Sequence, residues 1–187
     1  AILSLISIIQ PLIVKNVVFL STFFLIPSLS KKAQAESALD YFDSGKKKIK
    51  DGDSYGAISD YNKAIKMNEL SKYNLAASYY NRGKAKNDIK DYKGALYDFN
   101  EAIELNPNVP DFFIFRGNVK SRLDSDEYGA ISDYNKAIDI DPFNLLAIKN
   151  RGISKKILGD DKGACSDWEK ASSLGDQGSS KWVNKYC

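Results

Sequence analysis

A ladder of small and aromatic residues recurs through this chain and restricts it to a repeat architecture. In the copy that keeps every step, Gly83 is followed by Ala95, Phe99, Ala102 and Pro107. The other copies are Gly45, Ala57, Tyr61, Ala64; then Gly117, Ala130, Tyr134, Ala137, Pro142; and finally Gly152, Ala164, Trp168, Ala171. The glycines lie 38, 34 and 35 residues apart. Such a period indicates stacked units that bury a continuous core only together.

The ladder resembles the tetratricopeptide repeat family, whose unit is a helix–turn–helix of about 34 residues. The resemblance covers residues 38–178 and implies an all-α fold, a right-handed α-α superhelix of four repeats. We expect a repeat domain over 36–187, with repeats at 38–71, 76–109, 110–144 and 145–178 and a capping helix at 179–187. Each repeat consists of a helix A followed by a helix B. Residues 72–75 are additional, so the first helix B either runs long or ends in an irregular turn.

The repeated residues have packing roles in this architecture. Each ladder glycine lets helix A approach helix B, and the first alanine of each copy does the same from the facing helix. The second alanine of each copy lies where helix B meets the next helix A. The aromatic side chains fill the space beside these contacts, as close-packed interiors require. Pro107 and Pro142 end helix B, since proline lacks an N–H and disfavours helix in the preceding residue.

Composition excludes several classes of function. The chain contains no histidine, which removes histidine-based acid–base catalysis, nucleophile activation and metal binding. Two cysteines are too few for a zinc site. The formal charge is +3, and all of it comes from Lys15, Lys31 and Lys32. Because the remainder is neutral, we expect no nucleic-acid partner. We also expect no catalytic residue, no metal and no cofactor, and therefore not an enzyme.

The first 35 residues differ from the rest. Residues 17–29 form an apolar run behind Lys15, and Ala33-Gln34-Ala35 follows as a small-x-small pattern. This arrangement is typical of a cleaved secretory signal peptide. Residues 1–14 are also apolar, however, so 1–29 could instead insert as an uncleaved membrane anchor. Both interpretations predict a protein that is exported, to a periplasm, a lumen or the medium, or anchored by its N-terminus.

Regularly spaced charges allow two interpretations. An aspartate precedes each ladder aromatic (Asp60, Asp98, Asp133, Asp167), and an arginine precedes three of the glycines (Arg82, Arg116, Arg151). They could form catalytic carboxylates with an anion clamp, or interhelix ion pairs and exposed charges. We favour the second, since every repeat carries the aspartate. The run Lys46, Lys47, Lys48, Lys50 is interpreted in the same way as a solvated face rather than a membrane or anion site.

Cys165 and Cys187 are a candidate disulfide. If the last helix B and the capping helix form an antiparallel hairpin that turns near residue 176, the two cysteines lie side by side. An exported protein with cysteines so placed favours a bridge, whereas a cytoplasmic protein would keep two free thiols.

The resemblance also implies a binding surface. In tetratricopeptide repeats the A helices line a concave groove that holds a peptide or a partner helix. The family's groove positions give partner-binding candidates in all four repeats: Phe42, Lys46, Tyr80, Lys84, Asn87, Ile114, Asn118, Arg122, Lys149 and Lys156. This mixture suits an extended acidic and apolar segment anchored on Phe42, Tyr80 and Ile114.

One subclass of the family does not fit. Its members hold the C-terminal carboxylate of a chaperone with lysine, asparagine and arginine at fixed groove positions. The corresponding positions here are Phe42, Lys46, Asn81, Asp111 and Phe115, of which only Asn81 matches. We therefore predict a non-catalytic interaction scaffold that binds some other protein or peptide. The alternative is a self-associating scaffold, since the first repeat shows no obvious N-terminal cap.

Overall fold

The computed structural model describes residues 36–187, and Ser37–Cys187 forms one compact unit. The predicted leader, residues 1–35, lies outside the described residues. Within 36–187 all regular structure is helical: α1 (Ala38–Lys50), α2 (Ser54–Met67), α3 (Lys72–Asp88), α4 (Tyr92–Leu105), α5 (Pro110–Asp124), α6 (Glu127–Ile140), α7 (Leu145–Ile157), α8 (Asp161–Ser173) and α9 (Gln177–Tyr186). No helix in this part of the chain is both long and apolar enough to cross a membrane.

Four aspartates start the B helices in the same way. Asp53, Asp91, Asp126 and Asp160 are the N-caps of α2, α4, α6 and α8. Each side chain accepts a hydrogen bond, of 2.8 to 3.0 Å, from the backbone N–H of the glycine three residues later. Such a cap satisfies a helix N–H that otherwise has no partner. A Cβ on that glycine would lie 2.0 to 2.2 Å from the carboxylate oxygen, so a larger residue there requires the aspartate side chain to shift from its capping position.

The B helices end in two ways. The residues before Pro107 and Pro142, Asn106 and Asp141, are extended, as proline requires of its predecessor. In the first repeat, where no proline follows, α2 ends at Asn68 in the left-handed conformation (φ 55°). The first helix B therefore does not run long. The extra residues 72–75 instead lengthen α3, which begins at Lys72 behind its N-cap Ser71 and is 17 residues long.

The helices stack in chain order, each packing against its neighbours in sequence. The A helices also contact one another directly, α1 with α3, α3 with α5 and α5 with α7. The array therefore curves toward the A helices, whose outward side chains form its concave face. Four core clusters run through the stack, and each joins residues of neighbouring repeats. The ladder alanines within them are fully buried.

Each ladder glycine faces the aromatic ring of its own repeat. A Cβ on Gly45, Gly83 or Gly117 would lie 2.9 Å from the ring of Tyr61, Phe99 or Tyr134, and a Cβ on Gly152 would lie 2.6 Å from Trp168. The ring itself therefore fills the space left by the missing side chain. From the sequence we expect the glycine to bring helix A and helix B close together, with the ring packed beside that contact. The ring instead lies against the glycine itself.

Candidate partner-binding groove

The regularly spaced charges form a series of buried ion pairs that link the repeats. We call this series the arginine ladder, to distinguish it from the ladder of small and aromatic residues. Arg116 on α5 donates two hydrogen bonds to Asp133 on α6, of 2.9 and 2.5 Å, and a third of 2.8 Å to Asn100 on the preceding helix B. Lys120 adds a second cation 2.9 Å from the same carboxylate. Arg82 with Asp98, Asn62 and Lys86 repeats this arrangement, as does Arg151 with Asp167, Asn135 and Lys155.

The arginine ladder has different residues in the first and the fourth repeat. In the first repeat Ser44 replaces the arginine, and Asp60 accepts from Ser44 and Lys48, both at 2.6 Å. Burial acts to raise the pKa of Asp60, but the hydrogen bonds from Lys48 and Ser44 together lower it below the ordinary value. In the fourth repeat Glu169 replaces the asparagine. All four aspartates are buried and tied between helices, so they are interhelix ion pairs rather than catalytic carboxylates.

A cavity of about 390 Å³ opens between α1, α3 and the start of α5. Its walls are aromatic: Phe42, Tyr73, Tyr80 and Phe112 line it, with Ala77 at the groove side. Two of these rings pack against each other, since the centroids of Tyr80 and Phe112 lie 5.0 Å apart. Burial, with a smaller contribution from Asp111, raises the pKa of Tyr80, so its hydroxyl stays protonated. We call this the aromatic cavity.

Two lysines lie beside the aromatic cavity. The ammonium of Lys46 is 5.1 Å from the centroid of Phe42, and that of Lys84 is 5.3 Å from the centroids of both Tyr80 and Phe115. Lys46 also lies 3.4 Å from Asp43, in an exposed pair that contributes little to stability. Cation–π contacts hold both ammoniums at the groove while leaving them able to pair with an acidic ligand.

A second cavity, of about 340 Å³, lies between α5, α6 and α7 and has a polar lining. The side-chain oxygen of Asn118 accepts hydrogen bonds from Tyr134 (2.7 Å) and Asn150 (2.9 Å). Arg122 lines the same cavity and donates to Asn87 of the previous repeat, at 3.0 Å. The predicted residues Asn87, Asn118 and Arg122 thus lie along one polar stretch of the groove that spans three repeats.

Ile114 is a correction to the predicted groove. Its side chain is fully buried in a core cluster with Phe113, Ala130 and Tyr134, so it cannot anchor a ligand. The family position alone does not reveal this, because the same position holds Tyr80 at a cavity wall in the second repeat. Phe112, two residues earlier, lines the aromatic cavity in its place. Nothing in the run Phe112, Phe113, Ile114 indicates which of the three side chains faces the groove.

Lys149 and Lys156 lie on the groove side of α7 but contact α9. The ammonium of Lys149 is 3.6 Å from the carboxylate of Asp176 and 5.8 Å from the ring of Trp182. The ammonium of Lys156 is 5.3 Å from the ring of Tyr186. The sulfurs of Cys165 and Cys187 are at bonding distance, 2.05 Å, and join α8 to the last residue of the chain. The last two helices therefore form the hairpin that the cysteine positions predict.

The described residues contain no cluster of three or more side chains that could hold a metal ion. Tyr73, Asn74 and Asn150 line the cavities, although the repeat pattern does not predict them. Tyr73 belongs to the extra turn of α3, which the repeat pattern treats as connection. Only the N-cap Ser71 signals that this turn is helical.

Comparisons with known proteins agree with the resemblance drawn from the sequence. The tetratricopeptide repeat family model matches residues 76–109, which is the second repeat. A structure of MamA residues 41-end from Desulfovibrio magneticus RS-1 is similar with a TM-score of 0.67 and 20% identity, over 74% of this chain and 75% of that one. A tetratricopeptide repeat protein from Parabacteroides merdae ATCC 43184 is similar with a TM-score of 0.69 and 18% identity, over 76% and 55%.

A third similar structure is the first tetratricopeptide repeat domain of Spaghetti (RPAP3), bound to the HSP90 peptide SRMEEVD. Its TM-score is 0.60 at 24% identity, over 67% of this chain and 96% of that one. No curated protein sequence matches the chain. At these identities the structural likeness is one of fold. The family model thus identifies a tetratricopeptide repeat at 76–109, and the described residues form the all-α superhelix seen in the similar tetratricopeptide repeat structures.

Proposed function

We propose that this protein is a non-catalytic adaptor that binds an extended segment of a partner protein along the A helices. The aromatic cavity is the observation that carries the proposal. Its volume, about 390 Å³, accommodates an apolar side chain, and its walls belong to three different A helices. A preformed cavity lowers the cost of ordering the site, and a buried apolar anchor supplies most of the binding energy in such contacts.

The charge of the groove supports an acidic segment. Lys46 and Lys84 flank the aromatic cavity, and Arg122 lies further along the same face, whereas the residues after position 35 carry no net charge. Opposite charges at the rim of an interface select the partner and speed association more than they add affinity. The segment therefore carries apolar residues for the cavity and acidic residues on either side of them.

The HSP90 peptide that binds the RPAP3 domain is an instructive contrast. The groove here keeps only Asn81 at the positions that hold a chaperone C-terminus in related domains, and Asn81 lines the aromatic cavity. In the first repeat, Phe42 and Lys46 occupy the two positions that help to hold the chaperone carboxylate in those domains. We therefore propose an internal segment, recognised by its side chains, rather than a chaperone tail.

A random peptide display selection on residues 36–187, which form a compact unit, tests the proposal. The selected peptides should combine acidic residues with an aromatic or large aliphatic residue. Lys46→Glu with Lys84→Glu should weaken them at least about tenfold, the effect of losing two charge-assisted contacts. The control pair Lys66→Glu with Lys136→Glu changes charge equally on exposed helix B positions and should bind normally.

Blocking the cavity separates its role from that of charge. Ala77→Phe places a ring in the aromatic cavity without changing charge and should abolish binding of the same peptides. Equal binding by this variant, with an unchanged melting temperature, would move the site away from the aromatic cavity. Selected peptides without acidic residues would contradict the proposed ligand.

We also propose that the protein is exported or anchored by its N-terminus. The leader pattern at 1–35 supports this, and the pairing of Cys165 with Cys187 is consistent with an oxidising compartment. Cell fractionation and N-terminal sequencing of the mature protein test it. Cleavage after Ala35 would identify a signal peptide, a retained leader in the membrane fraction would identify an anchor, and recovery of the intact chain from the cytosol would contradict both.

A further inference from the structure

The last helix, α9, covers the end of the array and part of the groove at once. Trp182 lies 5.3 Å and Tyr186 5.9 Å from Trp168 of α8, between ring centroids, and Trp168 is only 3% exposed. The same two side chains of α9 lie over Lys149 and Lys156 of α7. Lys156 is also paired with Asp161 of α8, at 2.7 Å, whereas the contacts of Lys149 are with Asp176 and Trp182, at the start of and within α9. Docked α9 therefore engages the ammonium of Lys149, which the groove would otherwise present to an acidic ligand.

Besides these ring and lysine contacts, α9 is attached at three points. A turn over 174–176 holds its start, where Gly175 has φ +99°, and the disulfide holds its end. Between them, the hydroxyls of Ser172 and Ser180 lie 2.7 Å apart. A helix of 10 residues is marginal without tertiary contacts. With the disulfide closed, both ends are fixed and α9 cannot swing away.

The disulfide lies where a reductant can reach it. Cys187 is the last residue and is exposed, and Cys165 is half-buried beside it. A thiolate needs access to a sulfur to attack a disulfide. An attack on Cys187 by a dithiol would break the S–S bond and release the Cys165 thiolate, which takes up a proton. The second thiol of the dithiol then displaces Cys187, so that the dithiol is oxidised to a disulfide and both cysteines become thiols.

We propose that the Cys165–Cys187 disulfide is a redox lock on the C-terminal end of the groove. Closed, it holds α9 against α7 and α8. Opened by a dithiol, it lets α9 undock and makes Lys149 available to the acidic segment. The last statement rests on the proposed function, whereas the release of α9 does not.

Two measurements without any ligand test the lock. Reduction of residues 36–187 should speed amide hydrogen exchange in α9 at least about tenfold, since it removes the closure constraint, and should leave α1 to α6 unchanged. Lysine acetylation read by mass spectrometry should become faster at Lys149. Lys46 and Lys84, whose aromatic partners lie on α1, α3 and α5, are internal controls and should react at the same rate in both states.

Cys165→Ser with Cys187→Ser should behave as the reduced protein whether or not the reductant is present. Circular dichroism of this variant checks that the repeats still fold. Equal α9 exchange in the oxidised and reduced forms would overturn the lock, as would unchanged labelling of Lys149.

A third measurement addresses the groove. A fluorescent peptide, blocked at both ends, with phenylalanine and leucine set among glutamates, should bind about two- to fivefold more tightly after reduction, the gain from one rim lysine. Equal affinity in both states would overturn the link between lock and groove. If the peptide binds neither form while α9 exchange still responds to reduction, the acidic-segment function fails and the lock stands.

Discussion

At the scale of the residue, the contact between each ladder glycine and an aromatic ring explains why helix A tolerates glycine. Glycine in a helix interior costs about 1 kcal/mol relative to alanine. Here the hydrogen of Gly83 leaves room for the ring of Phe99, which would lie 2.9 Å from a Cβ. The ring is fully buried, so it cannot move outward to make space.

Gly83→Val should therefore lower the free energy of unfolding by about 1–3 kcal/mol, the usual cost of overpacking. Urea titration measures the effect. In a Phe99→Leu background the same substitution should cost less, because the smaller side chain leaves space for the new methyl groups. An equal cost in both backgrounds would show that the ring is not the obstacle.

The arginine ladder gives a second prediction for a single residue. Arg116→Met leaves Asp133 buried with Lys120 as its remaining charged partner and removes the bond to Asn100. We expect a loss of about 2–4 kcal/mol, since the cost of burying a carboxylate is then poorly compensated. Adding Asp133→Asn should recover part of that loss. The matched exposed change Lys136→Met should leave the midpoint of thermal unfolding within error.

Residue types in the sequence indicate these contacts only in part. The period places Gly83, Phe99 and Ala102 in the core, because small and aromatic residues that recur at a fixed spacing are typical of helix–helix contacts in stacked repeats. The depth of burial of Asp98 could not be inferred, since a charged residue is ordinarily exposed and its guanidinium partner lies 16 residues away. Ile114 shows the reverse problem, because an apolar residue fits both a core and a groove.

At the scale of the element, helix boundaries follow from capping residues more than from the repeat. Ser37 and Asp40 form a capping box at α1, and α3 begins behind Ser71 rather than at the start of the repeat pattern. The repeat spacing gives the number of residues between equivalent core positions. It does not determine how many helical turns precede the first core position of a repeat. The aspartate that caps each B helix is likewise a local feature, bonded to the glycine three residues later.

The start of α9 should respond to acid. The hydroxyl and backbone N–H of Ser179, with Lys149, lower the pKa of Asp176 below its ordinary value. The stabilisation that this carboxylate gives is complete above the ordinary pKa, about 3.9, and is lost as the pH falls through the lower folded pKa. Tryptophan fluorescence should therefore report loosening around Trp182 below about pH 4. The variant Asp176→Asn should lack that transition; its persistence would assign the change to another group.

At the scale of the whole molecule, both ends of the array are closed. On α1, exposed Lys47 occupies the position at which Ala85, Val119 and Ser154 are buried against the preceding repeat. The first repeat thus has the polar outer face that terminal repeats need. At the other end α9 covers Trp168.

Residues 36–187 should accordingly sediment as a monomer at all concentrations. A chain shortened to end at residue 175 exposes Trp168 and should associate as its concentration rises. Sedimentation velocity distinguishes these outcomes. Association of the longer chain would favour the self-associating scaffold instead, and a monomeric shortened chain would show that α9 is not needed as a cover.

The architecture was therefore predictable from the sequence, whereas the ligand surface was predictable only in outline. Four copies of one spacing determine an all-α stack. Which groove positions remain open depends on what packs across the array, as α9 does on Lys149 and as the extra turn of α3 does by bringing Tyr73 to the aromatic cavity. Contacts between distant segments leave no local pattern.

The arginine ladder also makes the two ends of the repeat array differ in how firmly they are held. Each guanidinium links its repeat to the one before it, but the first repeat has Ser44 in that place and, among the described residues, packs only against the second repeat. At the opposite end, the disulfide of Cys187 with Cys165 links the end of α9 covalently to α8. Under a pulling force, or during proteolysis, the helices should therefore unfold in order from α1 toward α8. The aromatic cavity is then lost first and the C-terminal hairpin unfolds last.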